Sequence, residues 1–404
     1  MRAYERLIRY AKVHTASSED LSHTPTTERQ FDLSRLLGEE MRAMGLQEVY
    51  EDEHAYVYGV LPASEGCEDL PCIGLIAHID TIPDFSGENV KPQLPPGFDG
   101  KDLPLGESGR TLSVKQFPHL PELKGHTLIT TDGTTVLGAD DKAGVAEALT
   151  AVERLMEENL PHGRVALCFT PDEEVGHGAA LLDLERLGAA FAYTVDGGRL
   201  EEINFETFNA AAAHWEVHGF NVHPGSAKNT LVNANLVAME INAMLPAGDV
   251  PEKTVAYEGF FHLTDMQGSV EKATLDYIIR DHDAALFAQR ERTMRHIEEL
   301  INEKYGAGTA VLTIREQYRN MAEILEQNMA IVERAEKAIA KAGLTPKRVP
   351  IRGGTDGSQL SFRGLPCPNL GTGGYGFHGP YEHITAENMD KAVEILLHIL
   401  APEA

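Results

Sequence analysis

The sequence predicts an α/β protein in two parts: a largely parallel sheet flanked by helices, interrupted by an inserted ferredoxin-like α+β domain. Three observations lead there. The chain has 404 residues, more than one hydrophobic core usually organises. Short β-like apolar runs alternate with helical stretches through the first half, the pattern of a parallel sheet with ligands expected at the strand C-termini. From about Thr207 the order becomes strand-helix-strand-strand-helix-strand, and the earlier alternation resumes after Arg319.

The elements follow in order. "MRAYERLIRYAKVH" carries Arg6, Arg9 and Lys12, which break the apolar core a signal peptide needs and suit an amphipathic helix. "AYVYGVLP" and "CIGLIAHID" are strand-like, a helix runs from Lys142 to about Glu158, and "RVALCFT" and "FAYTVDGG" are again strands. In the insert, "AAAHWEVHG", "EGFFHLTDMQGSV", "ATLDYIIRD" and "TAVLTIREQY" predict strands. "NTLVNANLVAMEINAML" and "AALFAQRERTMRHIEELINEKYG" predict helices. A helix near Ile324 to Ala342 and another from about Ala386 complete the chain. The first domain is therefore expected over 1–206 and 320–404, with the insert over 207–319.

Composition narrows the partners. With 62 acidic against 35 basic residues and a formal charge of −27, the surface repels nucleic acid and anionic lipid. No apolar run reaches bilayer length. Cys67, Cys72, Cys168 and Cys367 form no Cys-x-x-Cys pair, which fits free thiols in a reducing cytoplasm.

The chemistry-bearing residues cluster at strand ends. His78 and Asp80 in "LIAHIDTIP" are two apart, so the Asp can hold one imidazole nitrogen and leave the other for a metal; a surface hydrogen bond is the plainer account. Asp140 and Asp141 stand at a helix entry, where negative charge is welcome in any case. Glu173 and Glu174 close another strand, and Asp196 a further one; "GYGFHGPYEH" offers His378, with His383 as a rival. Adjacent carboxylates raise each other's pKa unless a cation lies between them. A carboxylate and imidazole cluster without thiolate suits zinc, with cobalt or manganese as substitutes. "GTGGYG" from Gly371 fits a dinucleotide fingerprint, but Gly379 and Pro380 forbid the helix it requires.

Seven motifs in order, "AHIDTIP", "GADDKAG", "TPDEEVGHG", "HPGSAKN", "YIIRD", "RGGTDG" and "FHGPYEH", resemble the dinuclear zinc peptidase family that contains carboxypeptidase G and aminoacylase. The likeness spans nearly the whole chain and is to that family's tripeptide aminopeptidases. It implies a discontinuous catalytic domain with a central mixed sheet flanked by helices, and an inserted lid. It implies that His78 and Asp196 bind one zinc, Glu174 and His378 the other, and that Asp140 bridges them, with a cis peptide bond to Asp141. By the same resemblance Asp80 orients His78, Glu173 is the general base, and His223 stabilises the oxyanion, in some relatives from a partner subunit, so that a homodimer is possible.

His223 otherwise reads as a turn residue. Arg280 and Arg352 are candidate anchors for a substrate carboxylate, against ordinary salt bridges, with Asp281 beside Arg280. The implied reaction is release of the N-terminal residue of a tripeptide. A related dipeptidase or N-acyl amino-acid deacylase is the alternative within hydrolases, and a catalytically silent binding protein the alternative outside them.

Overall fold

The computed structural model describes residues 1–402. The chain forms two compact units, the first from Met1–Phe205, Glu323–Val349 and the segment from Thr355 onward, the second from Glu206–Ala322 and Pro350–Gly354. The boundaries expected at 207 and 319 move by up to three residues. Residues 350–354, expected in the first domain, belong to the second unit. Ile351 N–H donates to Glu206 O (2.9 Å) and Phe208 N–H to Gly353 O (3.3 Å), so this short segment is stitched to the start of the insert.

The first unit is built on an eight-stranded sheet. Its strands lie in the order Gln47–Glu51, Val57–Leu61, Val165–Thr170, Ile73–His78, Phe191–Gly197, Asn369–Gly371, Glu202–Asn204 and Lys347–Arg348. The four central strands, from Val165–Thr170 to Asn369–Gly371, run parallel. Antiparallel pairings flank them on both sides, so the sheet is mixed rather than largely parallel. The apolar pattern does not encode strand direction; connection length does, and the five residues between Glu51 and Val57 are too few for a crossover.

Central strands Ile73–His78 and Val165–Thr170 are buried along their whole length, as expected of parallel strands covered on both faces. On one face Ile76, Ala166, Cys168 and Ala192 pack with Leu360, Leu365 and Cys367. The helix Ala139–Glu157 packs against the sheet and against the helices Ala3–Tyr10 and Ala386–Leu400. Gly144 permits that approach, because a Cβ there would lie 1.9 Å from Val195 O. The Pro/Gly-rich stretch after His78 has a small core of its own. Phe98, Leu105, Leu112, Leu120, Leu123 and Leu128 form it, and Phe117, Tyr375 and Tyr381 pack against it.

The second unit is a four-stranded antiparallel sheet in the order Phe260–Gly268, Lys272–Asp281, Asn209–His218, Ala310–Tyr318. With the helices Ala234–Met244 and Ala284–Tyr305, element order and strand order are those of a ferredoxin-like unit. Burial alternates along Lys272–Asp281, the period of two that one covered face demands. Asn233 and Asp283 cap the helices by accepting N–H groups of Asn235 and of Ala285 and Leu286. Among the described residues no helix is long and apolar enough to cross a membrane.

Trp215, the chain's single tryptophan, lies opposite Leu275 in this second core, both fully buried. Leu275→Ala is expected to cost about 2–5 kcal/mol, read as a lowered urea midpoint of the Trp215 fluorescence transition.

Candidate metal centre

The parallel strands end side by side, and their last residues define the centre. His78 closes Ile73–His78, in register with Thr170 of the next strand; Glu173 and Glu174 follow that strand in a short turn, and Asp196 lies near the end of Phe191–Gly197. His78 Nε2 is 3.0 Å from Asp140 Oδ1 and 3.5 Å from Asp196 Oδ1. His378 Nε2 is 3.1 Å from Asp140 Oδ2 and 3.1 Å from Glu174 Oε2. Asp140 thus presents one oxygen to each imidazole. Glu173 stands further off, its Oε2 4.0 Å from His78 Nε2.

The Asp140–Asp141 peptide bond is cis, and neither residue has helical dihedral angles. Asp141 turns the other way. It too lies within ligand reach of His78 and Asp196, but its oxygens already accept the N–H groups of His78 and Gly144, each at 3.2 Å.

Asp80 does more than orient an imidazole. His78 Nδ1 is 3.0 Å from the Asp80 backbone oxygen and 3.3 Å from its Oδ1. The same carboxylate accepts Glu173 N–H (3.1 Å) and Glu174 N–H (3.2 Å). One fully buried side chain therefore positions a ligand candidate and the glutamate pair together.

Three supporting residues lie outside the motif roles assigned from the sequence. Asp172 accepts Thr26 N–H, Thr26 Oγ1–H and Gln30 Nε2–H at 2.6–2.8 Å, tying the glutamate turn to the N-terminal segment. Glu382 accepts the N–H groups of Leu137, Gly138 and Asp140. Lys142 donates to Val13 O at 2.8 Å; burial pushes its amine down to about 7 against the pull of Glu382 and Asp80. All three lie within motifs quoted from the sequence, "TPDEEVGHG", "FHGPYEH" and "GADDKAG", but their backbone partners are visible only in the fold.

The electrostatics match a cation site. Burial, then the Asp196 charge, raises the Glu173 carboxyl well above its usual range. Burial and Asp140 raise Glu174 to about 7, and burial raises Asp196 to about 6 against the opposing pull of His78. Burial would lower His78, but Asp196, Asp140 and Asp80 together hold it well above the ordinary imidazole value. Glu174 Oε1 is buried without a hydrogen-bond partner among the described residues. An orphaned carboxylate oxygen amid two imidazoles and several acids, with no thiolate, fits a zinc-class divalent ion.

The remaining candidates make other contacts. His383, the rival of His378, sits 2.8 Å from His119, Nε2 to Nε2, and Tyr375 stacks on His119. His223 is exposed in the second unit and its Nδ1 accepts Gly225 N–H (3.1 Å), a turn-capping contact. Arg280 donates to Ala211 O and Ile279 O and lies over the Tyr318 ring. Its neighbour Asp281 pairs with Arg290 (2.8 Å), so the adjacent salt bridge considered from the sequence does not form. Arg352 donates to Ala256 O, Glu258 O and Thr254 Oγ1, bracing the second unit internally.

The hydrogen bonds that the His378 imidazole donates to the Asp140 and Glu174 carboxylates raise it to about 11, which favours its protonated form in the metal-free protein. A ligating imidazole must be neutral. Zinc binding at pH 7 is therefore expected to release protons and to tighten as pH rises from 6 to 8, measured by calorimetry in buffers of different ionisation enthalpy.

Comparison with known proteins gives a consistent result. The model of Peptidase family M20/M25/M40 matches residues 132–401. Peptidase T of Clostridium perfringens (strain 13 / Type A) is 52% identical over 400 residues, 99% of this chain and 98% of that protein. The fold matches aminopeptidase PepT from Bacillus cereus ATCC 10987 with a TM-score of 0.79 at 24% identity, over 99% and 97% of the two chains. It also matches a Bacillus subtilis protein described as a dinuclear metal-binding peptidase of the M20 family, with a TM-score of 0.65 at 15% identity, over 98% and 97%. A mixed sheet whose strand ends gather acids and imidazoles, and a likeness in sequence that runs from end to end, lead to one conclusion: the chain belongs to peptidase family M20/M25/M40.

Proposed function

We propose that the protein is an aminopeptidase that releases the N-terminal residue of tripeptides, with two zinc ions in the centre and Glu173 as general base. One observation carries the reading: Asp140 offers an oxygen to each of His78 and His378, while Glu173 stands beside this arrangement. In this reading His78 and Asp196 hold one ion, Glu174 and His378 the other, and Asp140 serves both. Cobalt or manganese is the expected substitute. The relatives named Peptidase T and the tripeptide aminopeptidase motifs support the substrate class.

Two bound ions would supply positive charge that acidifies a water and polarises the scissile carbonyl. Glu173 then takes the water's proton and returns it to the leaving amine. Asp80 fixes the base through the Glu173 backbone and His78 through Nδ1. His223 as oxyanion donor and Arg280 or Arg352 as carboxylate anchor rest on the resemblance and on the chemistry of these side chains. Arg280 is the preferred anchor.

An unblocked tripeptide is expected to turn over at least tenfold faster than a dipeptide or an N-acetyl amino acid. Preference for either of the latter would favour the related dipeptidase or deacylase. Glu173→Ala is expected to retain two zinc ions by metal analysis and to lose about 10²–10⁴-fold in kcat; unchanged turnover would remove Glu173 from the mechanism.

A further inference from the structure

We infer that Glu382 is the positioning residue for Asp140, holding the backbone of the proposed bridging ligand from the same loop that brings His378 to its side chain. The inference rests on the metal assignment proposed above and adds a residue to it.

Glu382 is 1% exposed. Leu137 N–H and Gly138 N–H donate to its Oε2 at 2.6 and 2.8 Å, and Asp140 N–H donates to its Oε1 at 2.8 Å. Three of the four residues 137–140 thus end on one carboxylate. Gly138 is in the left-handed region (φ 74°), and the N–H groups of such a turn converge on one point and favour an anion there. The helix after the turn does not supply this order at Asp140, whose dihedral angles are non-helical (φ −86°, ψ 101°).

The other end of the clamp is equally fixed. Tyr375 and His383 exchange backbone hydrogen bonds (2.8 and 2.9 Å), closing the loop at its base. Glu382 lies next to that closure, and His378 within the loop places Nε2 3.1 Å from Asp140 Oδ2. Asp140 is therefore gripped twice by one loop, through its backbone by Glu382 and through its carboxylate by His378. Glu382→Gln keeps the shape but replaces one acceptor oxygen with an NH₂ group facing N–H donors.

The test is zinc titration of the metal-free protein against a chromophoric chelator, with thermal unfolding of the metal-free forms alongside. Glu382→Gln is expected to weaken zinc binding by about 10–100-fold, at both of the steps that Asp140 serves. Glu382→Asp, which keeps the charge and shortens the reach, should fall between. A merely structural role would lower the unfolding temperature of the metal-free protein and leave both zinc affinities as they are. Wild-type zinc affinities in folded Glu382→Gln, or in Glu382→Asp should the first variant not fold, overturn the inference. Failure of the unaltered protein to bind zinc would overturn the metal assignment, and this inference with it. The readout needs no substrate, so an error in the peptide class does not affect it.

Discussion

A partly buried carboxylate shared between two imidazoles organises this protein. Asp140 is drawn from both sides by His78 and His378, and their hydrogen bonds hold its pKa below the ordinary carboxylate range despite burial. Around it Glu173, Glu174 and Asp196 are driven upward. Acids this close cannot all ionise unless positive charge joins them. The parallel strands create the crowding by ending together, and the chemistry follows from how that crowding is relieved.

Holding such a cluster falls largely to hydrogen bonds between carboxylates and backbone. Asp80 and Glu382 accept main-chain N–H groups of turns that carry site candidates, and Asp172, itself beside Glu173, accepts Thr26 N–H. Carboxylates suit the task because each offers two oxygens with several acceptor directions. Their own burial is compensated by those donors, which an apolar replacement would leave unsatisfied.

His78, Asp140, Glu173, Glu174 and Asp196 were legible in the sequence because each closes an apolar run or opens a helix, and both periodicities are local. The order of elements in the second unit was legible for the same reason. Strand direction was less so: the sheet is mixed because antiparallel pairs flank its parallel centre. His378 was chosen over His383 on the family resemblance; from spacing alone the two stood level, since only packing reveals His119 beside the latter. Glu382 lies in "FHGPYEH", but its role was not legible because its partners lie more than 240 residues away and are backbone groups, which leave no side-chain pattern to read. Residues 350–354 were misplaced for a related reason, their allegiance being set by main-chain bonds to Glu206 and Phe208.

The Pro/Gly-rich stretch between the His78 strand and Asp140 has a consequence beyond its own folding. Its leucine-lined core is the bed against which Tyr375 and Tyr381 rest, and these two tyrosines bracket His378 in sequence. What looks like an ornamental excursion on the surface is the packing beneath the residues on either side of His378. Loosening that apolar interior would therefore loosen the bed of the loop that carries His378, although none of its leucines is itself a site candidate.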